Sequence, residues 1–351
     1  MGIISSVKKY FRILLILLAG FALLYAERAV AAPVQTDAIK DCLPVRALQL
    51  SIINGKDIEY YKGLIALASE NNFNIIIIKD TGFVSYPDMP IARGPYLTPK
   101  QVNDIIAYAK SLGLEVIPNV ELFTHQEMIT KKYMPELLLN PVTIDMKNPR
   151  SWEFEKMLLD RAIEAYKPAY VHIGHDELWG YNSLIATKAL LSKGWKRPTP
   201  EEFVDHIILV HDYLKSKNIR TIIWGDMFMD IDVFYRYYGE KGVKGTAEFA
   251  ALLDRLPRDI IIGDWHYDQT GTGFPSFDFF KKKGFTVWGA TWLDTKNIKL
   301  FSEYVRARAQ SGDGMISTLW HYSWNEDKYR DAARRTIIDS GKAFCPGPPA
   351  K

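Results

Sequence analysis

Residues 169–181, Ala-Tyr-Val-His-Ile-Gly-His-Asp-Glu-Leu-Trp-Gly-Tyr, contain the pattern around which the rest of the chain is organised. A short apolar run ends at Gly174, and two adjacent acids, Asp176 and Glu177, follow it. A run of this kind predicts a buried parallel strand. The acids then lie just past its carboxyl end, where barrel and open-sheet enzymes place their chemistry.

The adjacent acids are suited to proton transfer. Two neighbouring carboxylates in a partly buried site repel each other, so we expect one pKa to rise, which places a proton donor beside a fixed anion. Solvated Asp-Glu pairs at helix starts are common. Gly174, the flanking histidines and Trp179 favour a functional site here. We therefore predict that Asp176 and Glu177 are catalytic.

The alternation of strand and helix extends along the chain. Apolar runs predict eight strands, at residues 46–53, 73–80, 114–121, 169–174, 220–226, 259–265, 285–290 and 314–320. Helical patterns separate them, and the segments Thr98-Pro-Lys-Gln and Thr199-Pro-Glu-Glu have the sequence of a capped helix start. Eight strands alternating with helices predict an α/β fold, a (β/α)8 TIM barrel that forms a single catalytic domain over residues 42–345.

The first 31 residues have the pattern of a secretory signal peptide. A basic segment with Lys8, Lys9 and Arg12 precedes the apolar run 13–26, and Ala29-Val-Ala is a cleavage-site sequence. The apolar run is short for a transmembrane span. We expect a secreted or periplasmic protein, with an uncleaved leader as the alternative and as the only expected contact with a membrane.

The charge of the chain argues against a nucleic-acid partner. The net charge is +3, and the first 31 residues, with four basic side chains against one acidic, carry the same value. The remainder is therefore close to neutral. A strongly basic surface, which nucleic-acid binding needs, is not expected.

Two cysteines, Cys42 and Cys345, lie near the two ends of the predicted barrel. In an exported protein a disulfide between them is plausible, with two free thiols as the alternative. Two cysteines this far apart do not have zinc-site spacing. We expect no metal site and no cofactor.

Acids and aromatic residues recur at the predicted strand ends. The set is Asp80, Glu121 with His125, Asp176 with Glu177, Trp224 with Asp226, Asp264 with Trp265, Trp292 with Asp294, and Trp320 with Tyr322. The carboxyl ends of barrel strands converge on one face. Acids can bind hydroxyls and move protons there, and rings can stack on a pyranose, so the set predicts a sugar pocket.

The segment His172-Ile-Gly-His-Asp-Glu resembles the His-x-Gly-Gly/Ala-Asp-Glu signature of glycoside hydrolase family 20, the β-N-acetylhexosaminidases. The hexosaminidase D-like branch, which has a single barrel, is the most similar. The resemblance covers residues 46–325. It implies an enzyme that removes a β-linked N-acetylhexosamine from an oligosaccharide or glycoconjugate.

The resemblance also implies a role for each matching residue. Glu177 matches the general acid/base, and Asp176 the carboxylate that orients the 2-acetamido group. Asp80, His125 and His172 match supporting residues. The expected sugar-binding residues are Arg46, Trp224, Trp265, Trp292, Asp294, Trp320 and Tyr322. The implied mechanism is substrate-assisted retention through an oxazolinium intermediate.

The sequence departs from the family pattern at three of these places. His175 replaces a small Gly or Ala, Trp292 stands where a tyrosine often binds the acetamido oxygen, and Tyr322 stands where a glutamate often binds a hydroxyl. Two alternatives remain open at this stage. One is a barrel glycosidase that uses a separate carboxylate, Glu121 or Asp226, as nucleophile. The other is a carbohydrate-binding barrel without activity.

Overall fold

The computed structural model describes residues 42–52, 57–80, 84, 97–126, 130–179, 181, 192–242, 244–271, 273–320 and 327–347. All of them belong to one compact unit, Asp41–Lys351. No helix in these ranges combines the length and the apolar character that a membrane crossing requires. The predicted signal peptide lies outside the described residues.

Eight parallel strands close into a barrel, so the predicted fold is confirmed. The strands are β1 Val45–Leu50, β2 Ile75–Lys79, β3 Glu115–Leu122, β6 Tyr170–Gly174, β7 Arg220–Trp224, β8 Ile261–Trp265, β9 Thr286–Thr291 and β10 Gly314–Leu319. Their order is β1-β10-β9-β8-β7-β6-β3-β2, and β1 closes the barrel by pairing with both β10 and β2. A short antiparallel pair, β4 Leu138–Asn140 and β5 Thr143–Ile144, lies outside the barrel.

The helices follow the predicted alternation. They are α1 Ile58–Glu70, α2 Pro99–Ser111, α3 Thr130–Tyr133, α4 Pro149–Tyr166, α5 Pro200–Ser216, α6 Ile231–Gly242, α7 Ala247–Leu252, α8 Pro275–Lys282, α9 Thr295–Arg306 and α10 Asp327–Phe344. Thr98 and Thr199 form capping boxes at the starts of α2 and α5, as their sequences predict. The sequence interpretation missed α3, α6 and the β4–β5 pair.

Each strand has one face toward the barrel axis and the other toward the helices. The inner cluster contains one residue in every two along the strands, including Ala47, Ile75, Ile77, Ile117, Ile222, Trp224, Ile261, Trp288, Ala290 and Ile316. Their strand neighbours, such as Leu48, Ile76 and Ile223, pack against the helices in a second cluster. Because side chains alternate with a period of two, this parity decides which strand-end residues face the mouth of the barrel.

The two ends of the barrel domain are joined covalently. Cys42 and Cys345 form a disulfide with a Cα–Cα distance of 4.1 Å across a sequence separation of 303 residues. Beside it, the Leu43 amide donates a hydrogen bond of 2.9 Å to the Phe344 carbonyl. The segment before β1 is therefore attached to the end of α10.

Candidate active site

The turn after β6 has an unusual backbone. Gly174, His175 and Glu177 have positive φ values of 72°, 68° and 48°. A Cβ on Gly174 would lie 2.4 Å from Oε2 of the buried Glu121, so only glycine fits this position. Non-glycine residues with positive φ each cost about 1–3 kcal/mol and persist only where surrounding contacts hold them.

His125 joins the two predicted catalytic acids. It follows β3 with φ 54°, and its Nε2 lies 3.4 Å from Asp176 Oδ2 and 3.9 Å from Glu177 Oε2. Burial by itself raises the pKa of the Asp176 carboxyl, but the charge and hydrogen bond of His125, with the charge of Lys79, hold that pKa below its usual range. Asp176 is therefore an anion at neutral pH.

Asp226, which follows β7, is the third acid of the site. Its Oδ2 accepts a 2.9 Å hydrogen bond from the Glu177 amide. Burial, and then the charge of Asp176, raise the pKa of Asp226 well above its usual value. Its surroundings therefore favour the protonated form of the carboxyl over the anion, and its buried Oδ1 has no partner among the described residues. The raised pKa thus falls on an acid from a different strand than Asp176.

Two lysines bring positive charge to the same end of the barrel. Lys244 Nζ lies 3.3 Å from Glu177 Oε1, and Lys79 Nζ lies 3.5 Å from Glu121 Oε1. The side chain of Lys244 is 12% exposed, so this contact is sheltered from water. Neither lysine was predicted as a site residue. Lys79 could have been found, because it has the inward parity of β2, but nothing in the spacing around Lys244 brings it to Glu177.

Aromatic rings form the wall of the mouth. Trp320 lies 6.0 Å from Trp224, and Trp265 stacks on Tyr267 at 5.1 Å with an angle of 24° between the rings. Trp320 Nε1 donates to the Tyr267 hydroxyl at 2.9 Å, and Trp292 lies 5.9 Å from the Tyr267 ring. The structure therefore brings three of the predicted tryptophans, Trp265, Trp292 and Trp320, around Tyr267, which the sequence interpretation missed, and the fourth, Trp224, packs against Trp320.

Several buried donors in this wall have no partner in the part of the chain that is described. They are Nε1 of Trp224, Nε1 of Trp265 and Nε2 of His172. Burial lowers the pKa of His172 to about 3, so its ring is neutral. The Gly174 amide donates to its Nδ1 at 3.1 Å, which leaves the proton on Nε2. Unpaired buried donors are costly, so their presence together favours a ligand rich in acceptor oxygens.

His125, Asp176 and Glu177 are also the described residues whose geometry would allow them to hold a metal ion. Their ligand atoms lie within 4.8 Å of one another. However, His125 and Lys244 already contact these carboxylates. The site therefore places its own basic side chains against its acids.

Arg46 is in the wrong place for its predicted role. It is the second residue of β1, and its guanidinium donates to the carbonyls of Leu43 and Asn72, which precede β1 and β2. It therefore lies at the amino end of the barrel. At about 3.3 Å per residue, roughly 13 Å of strand separates it from the mouth beyond Leu50.

Two other predicted residues have contacts with neighbouring elements. Asp80 accepts a 3.0 Å hydrogen bond from the Tyr166 hydroxyl, which belongs to the layer between barrel and helices. Asp294 is exposed, and its Oδ1 caps α9 by accepting from the Asn297 amide at 2.7 Å. The cap gives Asp294 a structural role, and the supporting role of Asp80 stays a prediction. Tyr322 lies outside the described residues.

Comparison with known proteins agrees with this geometry. Residues 77–269, more than half of the chain, match the family model described as glycosyl hydrolase family 20, catalytic domain. Human hexosaminidase D is 24% identical over 163 residues, which are 42% of this chain and 33% of that protein. Beta-hexosaminidase subunit A2 of Dictyostelium discoideum is 26% identical over 157 residues, 41% of this chain and 28% of that protein. The chain thus spans about a third or less of the length of these relatives.

Solved structures show the same fold. The β-N-acetylhexosaminidase of Bacteroides fragilis superimposes with a TM-score of 0.62 at 17% identity, covering 87% of this chain and 67% of that one. The exo β-N-acetylglucosaminidase of Vibrio harveyi, solved with N-acetylglucosamine, has a TM-score of 0.60 at 18% identity, covering 85% of this chain and 54% of that one. The match of the family model, supported by this fold, shows that the chain belongs to glycosyl hydrolase family 20.

Proposed function

We propose that this protein is a retaining β-N-acetylhexosaminidase that works by substrate-assisted catalysis. The observation that carries the proposal is the contact of His125 with both Asp176 and Glu177, beside a wall of tryptophans. It keeps one carboxylate ionised next to a second one that is positioned for proton transfer. The names of the relatives support an amino sugar as the substrate.

The proposed reaction has two steps. In the first, Glu177 gives its proton to the glycosidic oxygen while the carbonyl oxygen of the substrate's own acetamido group attacks C1, and the aglycone leaves as an alcohol. The positive charge that develops on the acetamido group is stabilised by the Asp176 anion. In the second step Glu177 takes a proton from water, whose oxygen attacks C1 and opens the oxazolinium ring with net retention.

The surroundings of the other acids argue against the two-carboxylate alternative. Burial and the charge of Asp176 raise the pKa of Asp226, which disfavours the anion that a nucleophile needs, and one of its oxygens already accepts from the Glu177 amide. Glu121 is paired with Lys79 and packed against Gly174. Each acid is therefore held by other contacts, which makes both poor candidates for attack on C1.

A comparison of chromogenic substrates tests the proposal. We expect 4-nitrophenyl N-acetyl-β-glucosaminide or its galacto epimer to be cleaved at least about 10²-fold faster, in kcat/KM, than the 4-nitrophenyl β-glucoside, which lacks the acetamido nucleophile. Equal cleavage of the glucoside, with a covalent glycosyl-enzyme that can be trapped, would support the two-carboxylate alternative. Binding of the amino sugar without turnover would support the non-catalytic one.

We also propose that the protein is exported. The basic and apolar pattern of residues 1–31 supports a cleaved leader, and the Cys42–Cys345 disulfide is a bond that persists in oxidising compartments. N-terminal sequencing of the secreted or periplasmic protein should find a start near Ala32. Retention of Met1 in a membrane fraction would instead indicate the uncleaved leader as an anchor.

A further inference from the structure

A buried chain of three side chains lies directly behind the catalytic turn. His175 Nε2 lies 2.8 Å from His206 Nδ1, and His206 Nε2 lies 2.6 Å from Glu155 Oε2. Glu155 comes from α4 and His206 from α5. His175 and Glu155 are 0% exposed and His206 is 3% exposed. Three ionisable side chains from three elements are thus brought together away from water.

Both ends of this chain are tied to backbone that carries catalytic residues. At one end His175 Nδ1 lies 2.9 Å from the Ile173 carbonyl, and His175 directly precedes Asp176. At the other end Glu155 Oε1 accepts a 2.8 Å hydrogen bond from the Phe123 amide, two residues before His125. The chain therefore links the turn after β6 to the turn after β3.

The hydrogen bonds define how many protons the chain holds. The Ile173 carbonyl can only accept, so His175 Nδ1 carries a proton. One proton lies between the two imidazoles, and another between His206 and Glu155. Three protons shared by two imidazoles and one carboxylate give the chain zero net charge, so it is a closed and neutral unit.

The two turns that the chain links are both strained. Phe123 and His125 have φ values of 66° and 54°, and His175 and Glu177 have φ values of 68° and 48°. Glycine would adopt such a conformation readily, yet this chain has a histidine at position 175. Phe123 also packs against the His206 ring at 4.9 Å and the His175 ring at 5.8 Å. The turns are therefore held by contacts that run through the same three side chains.

We propose that Glu155, His206 and His175 are positioning residues that set the distance between His125 and the Asp176–Glu177 pair. They do not touch the substrate, and they act through the backbone of the two turns. The inference rests on the proposed function, because it assigns these residues a role in that reaction. It also explains why this protein has His175 where the family signature has a small residue.

Two substitutions at Glu155 separate hydrogen bonding from charge. In Glu155→Gln the amide can accept from Phe123 and donate to His206 Nε2, and the imidazoles then donate in turn toward the Ile173 carbonyl, so every link is kept. In Glu155→Ala the links to His206 and Phe123 are both lost. We expect Glu155→Ala to lower kcat by about 10- to 100-fold with KM within about twofold, and to shift the pH profile of kcat/KM. Glu155→Gln should keep kcat within about threefold.

His211 provides a matched control. Like His206, it lies on helix α5 and is 3% exposed, but it is hydrogen-bonded to Asp259 and is not part of the Glu155–His206–His175 chain. His211→Gln should leave kcat, KM and the pH profile of the folded enzyme unchanged. If Glu155→Ala does not fold, His175→Gly provides the same test, because glycine accepts the positive φ and removes only the link after β6.

A measurement without turnover separates this inference from the proposed function. Imidazole NMR signals of His125 should shift in Glu155→Ala or His175→Gly, and should stay at their wild-type positions in Glu155→Gln and His211→Gln. A wild type that cleaves no N-acetylhexosaminide refutes the proposed function but leaves this test in force. The positioning role is overturned if folded Glu155→Ala keeps the wild-type kcat and His125 signals, or if Glu155→Gln loses as much kcat as Glu155→Ala.

Discussion

The two carboxylates after β6 differ in their surroundings although they are adjacent in sequence. Asp176 contacts His125 and has a lowered pKa, so it is suited to holding positive charge on the substrate. Glu177 contacts Lys244, and its side chain is 36% exposed, so it can reach a leaving group. The proposed division of roles follows from contacts that each residue makes with other strands.

Substitutions at the pair should therefore have different kinetic signatures. Glu177→Gln removes the proton donor and should lower kcat by about 10²–10⁴-fold, with a smaller loss for substrates whose leaving group needs no protonation. Asp176→Asn should lower kcat whatever the leaving group. Steady-state rates on a series of aryl N-acetyl-β-glucosaminides measure both effects. The exposed Glu153→Gln on α4 is the control, and near-normal turnover in both site variants would contradict the mechanism.

Substitution of Gly174 should be destabilising both because of its positive φ and because of the nearby Glu121 carboxylate. Gly113, which has only the positive φ, allows the two effects to be separated. In Gly174→Ala the new Cβ meets both the positive φ of 72° and the Glu121 carboxylate. Gly113 has φ 77° but nothing within 4 Å of a Cβ. We expect Gly113→Ala to lower the free energy of unfolding by about 1–2 kcal/mol with normal kcat, and Gly174→Ala to lower it by about 2–5 kcal/mol with reduced kcat. Equal losses in urea unfolding would show that the contact with Glu121 is unimportant.

Asp226 should make the free energy of unfolding fall as the pH rises. Its folded-state pKa is raised, so the stability linked to its protonation is fully present below the unfolded pKa and is lost as pH rises toward the folded pKa. The slope is about 1.4 kcal/mol per pH unit. Asp226→Asn imitates the protonated carboxyl. When the pH is raised from about 4.5 to about 8, the variant should therefore lose less stability than the wild type. Parallel curves for the two proteins in urea unfolding would contradict the raised pKa.

At the scale of elements, strand parity decides which acids reach the mouth. Lys79 has the inward parity of β2 and meets Glu121, whereas Asp80, one residue later, meets Tyr166 near the helices. Asp264 in β8 likewise bonds to the Ser276 hydroxyl, outside the barrel. A shift of one residue along a strand thus moves a carboxylate from the site to the structural layer.

The cap at the start of α9 provides a test at this scale. Because Asp294 Oδ1 accepts from the Asn297 amide, Asp294→Ala should lower the free energy of unfolding by about 0.5–2 kcal/mol and leave KM unchanged. Asp294→Asn can still cap the helix and should be close to wild type. A large rise in KM for both variants would restore the hydroxyl-binding role that the family resemblance implies.

At the scale of the whole molecule, the two ends of the barrel domain meet where the barrel closes. β1 pairs with both β2 and β10, and the disulfide joins the segment before β1 to the residue after α10. Covalent attachment there opposes opening of the barrel at the seam between its first and last strands. The disulfide is therefore placed where it supports barrel closure.

Loss of the disulfide should lower stability without changing catalysis. In the chain-entropy model a bridge across a loop of this length contributes about 4–5 kcal/mol, and measured values are often smaller. The Cys42→Ser/Cys345→Ser protein should unfold at lower urea concentration than the oxidised wild type and match the reduced one, with an unchanged KM. Two free thiols in denatured, non-reduced wild type would show that the bridge does not form.

Local sequence patterns were enough to predict the barrel, the helix caps and the position of the Asp176–Glu177 pair. These depend on local period and residue type, which repeat within one strand or helix and are visible in the chain order. The family resemblance placed Arg46 at the mouth of the barrel. Its position near the start of the first predicted strand already indicated the amino end of the barrel instead.

Which side chains come together at the site depends on the closed barrel and could not be predicted from the order of residues along the chain. The contact of Lys244 with Glu177, the hydrogen bond from the Glu177 amide to Asp226 and the Glu155–His206–His175 chain each join elements that are far apart in sequence. Closing the barrel brings these elements together, and burial then sets the charges of their side chains. No local sequence pattern predicts these contacts, because they depend on the twist of the sheet and the packing of helices around it.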